Sequence, residues 1–317
     1  MELSGATLVV TGGAGFVGSH LADLLVADND VTVVDDCSNG RREWVPDGAD
    51  FLAGDLTDPE VVAAAITEET DAVFHFAASK AVNSPTPRDQ FETNNAMTYN
   101  VLQRMDEVGV SNVAFTSSST VYGEAPRPTP EDYAPLEPIS PYAASKLAEE
   151  ALLSTYAHSH GVTVWNFRFA NIVGPRLLPG AVIPDFVQKL RADPETLEIL
   201  GDGRQEKSYM HIEECLDAMV HVVEHADAAM NTYNLGTRTT TSVTTIADVV
   251  ADVMGVDPDY EFTGGDRGWT GDVPRMRLSV EKLSGLGWEP AQSSDDAVRQ
   301  AAEELLAESD DWPDLDA

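Results

Sequence analysis

Positive charge is scarce in this chain. Its 317 residues hold 19 Lys and Arg against 54 Asp and Glu, a formal net charge of −35. A surface so anionic repels nucleic-acid phosphates and anionic lipid headgroups, which argues against nucleic-acid and membrane partners. Cysteine is nearly missing. Cys37 and Cys215 are too few for a disulfide framework, and neither stands in a metal-ligand spacing, so no metal site is expected. No apolar run approaches the roughly 18 residues of a membrane span. The N-terminus has no basic stretch leading into an apolar segment and a cleavage site; it begins almost at once with the strand-like "ATLVVTG". A cytoplasmic protein is the expectation. Internal repeats and low-complexity linkers are lacking too.

What is present is the material of a sizeable core, with 43% hydrophobic residues. The acids are spread along the whole chain rather than gathered in a tail. Self-repulsion at that density is tolerable in concentrated salt, where the Debye length falls to about 3 Å at 1 M. This favours a halophilic protein, similar in composition to those of salt-loving archaea, over an acidic partner-binding one.

The first half alternates strand-like runs (7–12, 31–36, 50–54, 72–78, 112–118, 162–170) with amphipathic stretches (16–27, 60–66, 89–108, 142–160). That order predicts right-handed βαβ crossovers and an α/β fold, a doubly wound parallel sheet with helices on both faces. After Asn171 short helices and scattered Gly and Pro replace the regular alternation, which predicts a smaller α/β lobe. "MNTYNLGTRTT" reads as one more strand, so the lobes are interleaved. The expected division is a dinucleotide-binding domain over 1–170 with 208–237 returning to it, and a second lobe from 171–207 and 238–317.

"TLVVTGGAGFVGSH" sets Gly12, Gly15 and Gly18 in G-x-x-G-x-x-G spacing after a strand and at a helix start. Such glycines permit a tight turn and close backbone approach, so that the helix N-terminus can face a pyrophosphate. Asp35 ends the second strand, where a carboxylate accepts from a ribose 2′-OH and repels a 2′-phosphate, favouring NAD over NADP. Asp55 in "AGDLTD" is placed to reach the adenine amino group; the alternative is helix capping, for Asp58 and also for Asp55. The small residues Ala77 and Ala78 leave room for a cofactor against the backbone. Lys80, one of five lysines in the chain, suits a phosphate contact. Tyr142 and Lys146 in "SPYAASKLAEE" fall on one helical face.

"TGGAGFVGSH", "VDDCSNG", "FHFAASKAV", "TSSSTVYG" and "SPYAASKLAEE", in this order, resemble the extended short-chain dehydrogenase/reductase family, and within it the UDP-glucose 4-epimerases and related nucleotide-sugar epimerases. The resemblance covers about residues 5–290. It implies a Rossmann-type fold and makes Tyr142 the acid/base, with Lys146 beside it and on the nicotinamide ribose. Ser118 would share a hydrogen bond with the reacting sugar hydroxyl, with Ser117 and Ser119 as fallbacks. A phenol titrates near pH 10. The nearby ammonium and the positive nicotinamide are expected to draw that value down. The cofactor set implied is Gly12, Gly15, Phe16, Val17, Gly18, Asp35, Asn39, Asp55, Leu56, Ala77, Ala78, Lys80, Asn94, Tyr142 and Lys146. The set implied for a UDP-sugar is Ser118, Asn171, Lys207, Asp272 and Arg275.

The chain departs from the family pattern at several points. Met97 replaces the usual glycine after Asn94. Lys207 occupies an arginine position, which keeps the charge and loses the bidentate fork. Trp269 stands where arginine is common, leaving Arg267 or Arg275 to supply that charge, and Met276 lies near the position that limits sugar size. The resemblance implies a homodimer through the helices over 89–108 and 142–160.

Three functions follow in order. The first is 4-epimerisation of UDP-glucose and UDP-galactose through a 4-keto sugar, with hydride lent to NAD and returned. The second is a nucleotide-sugar 4,6-dehydratase or UDP-glucuronate decarboxylase. Against it, Ser119 and Thr120 stand where dehydratases have Asp-Glu and decarboxylases have a glutamate. The third is a non-enzymatic NAD sensor, disfavoured because tyrosine and lysine are both kept. "HVVEH" at 221–225 matches a zinc-peptidase pattern, but with no further ligand cluster it reads as a surface helix.

Overall fold

The computed structural model describes residues 1–80 and 86–308. The last residues of "FHFAASKAV" and the end of the expected second lobe, 309–317, lie outside the described residues. The elements are β1 (Thr7–Thr11), α1 (Phe16–Leu25), β2 (Asp30–Asp35), β3 (Asp50–Ala53), α2 (Pro59–Ala65), β4 (Ala72–His75), α3 (Pro87–Val108), β5 (Asn112–Ser118), α4 (Pro141–Ser159), β6 (Thr163–Phe169) and β7 (Asn171–Val173). There follow α5 (Val182–Ala192), β8 (Thr196–Ile199), β9 (Glu206–Lys207), β10 (Tyr209–His211), α6 (Ile212–His225), β11 (Met230–Leu235), β12 (Thr241–Ser242), α7 (Val243–Met254), β13 (Asp259–Phe262), β14 (Arg275–Met276), α8 (Glu281–Gly285) and α9 (Ser294–Glu308).

Seven strands form one parallel sheet in the order β11-β6-β5-β4-β1-β2-β3. The order reverses beside β1, as in doubly wound dinucleotide-binding sheets. β1 pairs in parallel with β2 on one side and β4 on the other, with Thr11 level with Val34 and with His75. The central strands are buried along nearly their whole length, as a sheet covered on both faces requires. One core joins Val9, Val34, Val73 and Phe115 of the sheet to Val101, Leu102 and Met105 of α3 and to Leu153 of α4.

The helix starts follow local chemistry. Asp58 caps α2 by accepting from Glu60 N, ahead of Pro59. Ser140 caps α4 by accepting from Ala143 N, ahead of Pro141. The expected strand over 72–78 stops at His75. The Phe76 amide is shared between the Thr11 carbonyl and hydroxyl, both at 3.1 Å, and the Ala77 amide reaches the same hydroxyl at 3.3 Å.

The chain divides into two compact units, one of Met1–Val121, Leu136–Arg168 and Leu216–Tyr233, the other of Tyr122–Pro135, Phe169–Cys215 and Asn234 onward. The boundaries differ from the sequence reading chiefly at two stretches, besides the two to four residues at 169–170 and 234–237 that fall to the second unit. Residues 122–135 belong to the second unit because Thr129 exchanges backbone hydrogen bonds with Arg277 and Ser279. Residues 208–215 stay there as well, since β10 pairs with β7 rather than entering the large sheet. No described helix is long and apolar enough to cross a membrane.

Inside the first unit, Glu150 of α4 takes a two-pronged bond from Arg168 (2.9 and 2.7 Å) and accepts from the Ser117 hydroxyl at 2.5 Å. Both charged side chains are 7% exposed. Arg168→Met strands a buried carboxylate and is expected to cost about 3–5 kcal/mol, while Arg168→Met/Glu150→Leu recovers most of it. Urea unfolding at fixed KCl tests this; equal losses in the single and double variants would contradict it.

Candidate active site

β1 delivers the chain into a glycine turn. Gly12 sits at φ +68°, and a Cβ there would lie 2.6 Å from the backbone nitrogen of Ala77. A Cβ on Gly18 would meet the Gly12 carbonyl oxygen at 2.2 Å. The turn, the first turn of α1 and the end of β4 are thus in backbone contact, which only glycine allows. Gly15 is the N-cap of α1 and offers its first turn no side-chain oxygen. Phe16 and Val17, both half-buried, begin that turn. Uncapped amides at a helix start, reached over bare backbone, fit the pyrophosphate of a dinucleotide.

Asp35 ends β2 half-buried. One carboxylate oxygen accepts from Ala14 N at 2.9 Å and the other from Cys37 N at 2.8 Å. Burial pushes its carboxyl above the ordinary value, opposed by these two bonds and assisted by the charge of Asp36. Asp35 therefore shapes the glycine turn from below. Asn39 is exposed on the following loop. Asp55 is exposed and accepts from Thr57 N at 2.8 Å, whereas the side chain of Leu56 is turned into the core. Ala77 and Ala78 are half-buried beyond β4, and Lys80 is exposed. Asn94 is fully buried. Its amide holds Ser79 N and O (2.7 and 3.1 Å) and the Ser145 hydroxyl at 3.0 Å, so it fixes the backbone after β4 and ties it to α4. Met97, in the place of a glycine, packs into the core.

Ser118 ends β5, and its oxygen accepts from Thr120 N (3.2 Å) and the Thr120 hydroxyl (2.8 Å), leaving its own proton to donate. Ser117 is committed to Glu150 and Ser119 is buried, which separates Ser118 from both fallbacks. Tyr142 lies in the first turn of α4 and is half-buried. Lys146, one turn on, is 1% exposed, with Nζ 4.4 Å above the Phe115 ring and 3.4 Å from Glu149 Oε2. The expectation that the Tyr142 phenol is drawn down is reversed in the protein by itself. Burial raises it and the charge of Glu149 raises it further. The lysine's influence is met on the spot by a carboxylate that sequence reading did not single out.

The second unit carries the other cluster. Lys207 on β9 is ion-paired with Asp272 at 2.6 Å and lies 4.9 Å from the Trp269 ring centre. Arg267 donates to the Asp272 carbonyl and to Glu124. Two residues expected to contact the sugar nucleotide therefore contact each other, and Arg267 rather than the exposed Arg275 joins them. Asn171, on β7, donates to Ser208 O at 3.2 Å. Met276 is buried beside Lys207 in the neighbouring strand. His221 and His225 stack at 4.1 Å on α6, and among the described residues no group of three or more His, Cys, Asp or Glu could hold a metal ion.

Glu149, Thr98, His75 and Thr11 are what the sequence reading missed. Glu149 is the clearest, a carboxylate three residues after Lys146 on the buried face. Its spacing was visible, but the run "LAEE" reads equally as a solvated face.

With this geometry in place, residues 8–236 match the NAD dependent epimerase/dehydratase family, more than half of the chain, and the chain belongs to that family. It is 31% identical over 309 residues to the UDP-glucose 4-epimerase of Mycolicibacterium smegmatis, covering 93% of this chain and 97% of that one. Among solved structures it is similar to a UDP-galactose 4-epimerase (42% identity, TM-score 0.86, 95% of this chain and 99% of that one). It is also similar to DesIV, the dTDP-glucose 4,6-dehydratase of Streptomyces venezuelae solved with NAD bound (28%, TM-score 0.86, 96% and 98%). The protein is an enzyme, and its cofactor is NAD.

Asp35→Ala removes the acceptor beneath the glycine turn. Hydrogen bonds to a charged group contribute about 1.5–3 kcal/mol, so NAD affinity is expected to fall at least about tenfold. Calorimetric titration of NAD into the stripped protein measures it, and an unchanged affinity removes the assignment.

Proposed function

We propose that the enzyme interconverts UDP-glucose and UDP-galactose by inverting C4 of the sugar. The observation that carries this reading is the group around α4: Tyr142 and the buried Lys146 on one helix, with a Ser118 hydroxyl whose proton is left to donate. When bound, NAD takes up a hydride from the sugar and gives it back. Gly12, Gly15, Gly18, Phe16 and Val17 would hold its pyrophosphate at the start of α1, and Asp35 its adenosine ribose. Tyr142 takes the O4 proton as C4 is oxidised and returns it as C4 is reduced. Ser118 donates to the same oxygen. Lys146 supplies the fixed positive charge beside the phenol. Lys207 with Arg267 meets the diphosphate, held by Asp272. Asn171 and Arg275 complete the reading on the second unit.

The similarity to a 4,6-dehydratase supports a second reading. Elimination across C5 and C6 needs a further acid and base. At Ser119 and Thr120 this chain offers hydroxyls, one of them already bonded to Ser118. We therefore rank the dehydratase second. A salt-adapted, cytoplasmic homodimer belongs to the same proposal; the acidic composition supports the salt adaptation and the family resemblance the dimer.

Purified protein in molar KCl with UDP-galactose, followed by NMR of the sugar, is expected to form UDP-glucose. A 4-keto-6-deoxy product would transfer the assignment to the dehydratases. Tyr142→Phe is expected to retain NAD and lose turnover by at least about a hundredfold, the usual worth of a positioned acid/base; near-normal activity would remove Tyr142 from the mechanism.

A further inference from the structure

We propose that Glu149 is a positioning residue of this site, anchoring the Lys146 ammonium from its buried side and setting the charge that the Tyr142 phenol faces. The inference rests on the reading of Tyr142 and Lys146 as the proton-handling pair.

Glu149 is fully buried on α4. Its Oε1 accepts from the Thr98 hydroxyl of α3 at 2.7 Å. Thr98 has given its proton away, so it accepts from His75 Nε2 at 3.0 Å. That fixes the His75 tautomer, and His75 Nδ1 accepts from the Thr11 hydroxyl at 2.7 Å. Thr11 in turn accepts from the Phe76 and Ala77 amides. Every donor in this line points the same way, from the backbone beside Gly12 to the Glu149 carboxylate. His75 stays neutral, because burial, and then the charge of Lys146, push it down to about 3. The line carries hydrogen-bond polarity and no second charge.

The other oxygen, Oε2, faces Lys146 Nζ at 3.4 Å. Both atoms are buried, and neither has a hydrogen-bond partner. The contact is a charge pair outside hydrogen-bonding geometry, which leaves the ammonium with donors to spend. A buried pair of this kind is seldom worth its desolvation, and apolar residues of similar volume would serve stability as well. A fully buried pair kept outside hydrogen-bonding geometry, one turn from Tyr142 on the same helix, is the feature a purely structural role does not account for.

The titratable and charged groups around Glu149 are Tyr142 and Lys146 on its own helix and His75 from β4. α3 presents the uncharged Thr98, and the neighbouring Glu150 is engaged by Arg168. A negative charge at Glu149 opposes a phenolate at Tyr142 and adds to the effect of burial. Removing it lowers the phenol's titration midpoint, and with it the pH at which the base becomes available.

The test is a phenolate absorbance titration at fixed KCl and saturating NAD, with the matching Tyr142→Phe protein subtracted so that one tyrosine is read. Glu149→Gln is expected to move the Tyr142 midpoint down by about one pH unit or more, while Glu149→Asp, which keeps the charge, leaves it high. The limb of kcat/KM that reports Tyr142 is expected to follow. A folded Gln variant with an unmoved midpoint overturns the proposal. If the Gln variant does not fold, Glu149→Met removes the charge without burying an amide and is read in the same way. A chain that folds with neither residue also overturns it, since Glu149 would then be a folding determinant. The titration needs no sugar, so a failed UDP-galactose assay leaves its result standing and the two failures are told apart.

Discussion

The close approach of the first turn to the fourth strand is the constraint on which the rest depends. Gly12 leaves no room for a side chain because Ala77 is already there. Thr11, the last residue of β1, holds it there, sharing the Phe76 amide between its carbonyl and hydroxyl and taking the Ala77 amide on the hydroxyl. One threonine thus seats the backbone against the glycine turn and passes a hydrogen bond to His75. The glycine turn and the helix carrying Tyr142 are joined through that residue by side chains rather than by sheet pairing alone.

Charge placement follows a related logic. A lysine on the outside of a chain with net charge −35 is one cation among many carboxylates, and dissolved salt screens it. Buried charges are screened far less. Two of the few lysines are placed that way, Lys146 at 1% and Lys207 at 14% exposure, each against its own carboxylate. Arg168 is treated alike with Glu150. The scarcity of positive charge therefore does not starve the interior of it; each cation there is fixed by a dedicated partner.

Much of this was legible in the sequence, for identifiable reasons. The strand and helix alternation of the first half, the glycine spacing and the Tyr142–Lys146 spacing are local signals, and local signals survive folding: β5 was read to its ends, and α3 and α4 to within two residues. The identity of the cations at the second cluster was less legible, because Lys207 and Asp272 lie sixty-five residues apart and only tertiary structure shows that they pair. The lobe boundaries were missed for the same reason. Nothing local tells that Thr129 bonds across to Arg277 and Ser279, or that β10 chooses β7. The end of β4 was missed because the residues that follow it are held by a side chain on another strand.

Glu149 shows the limit most clearly. From the sequence it is one of two adjacent acids on a helix, and the two look equivalent. In the fold they are not. Glu150 is consumed by an arginine and a serine and does a structural job, while Glu149 ends a one-way line of donors and turns its second oxygen to the lysine. The distinction matters chemically. A group that takes and returns a proton works best when its two protonation states are close in energy under working conditions. In this chain burial and Glu149 both favour the protonated phenol, so the opposing push must come from positive charge. On the proposed reading Lys146 provides it from inside the protein. A bound cofactor with a cationic oxidised ring would add to it from outside, and only when seated. On the same reading, a tyrosine held back by a fixed carboxylate would be a base whose strength depends on the occupancy of the dinucleotide site, which would keep proton removal and hydride removal in step.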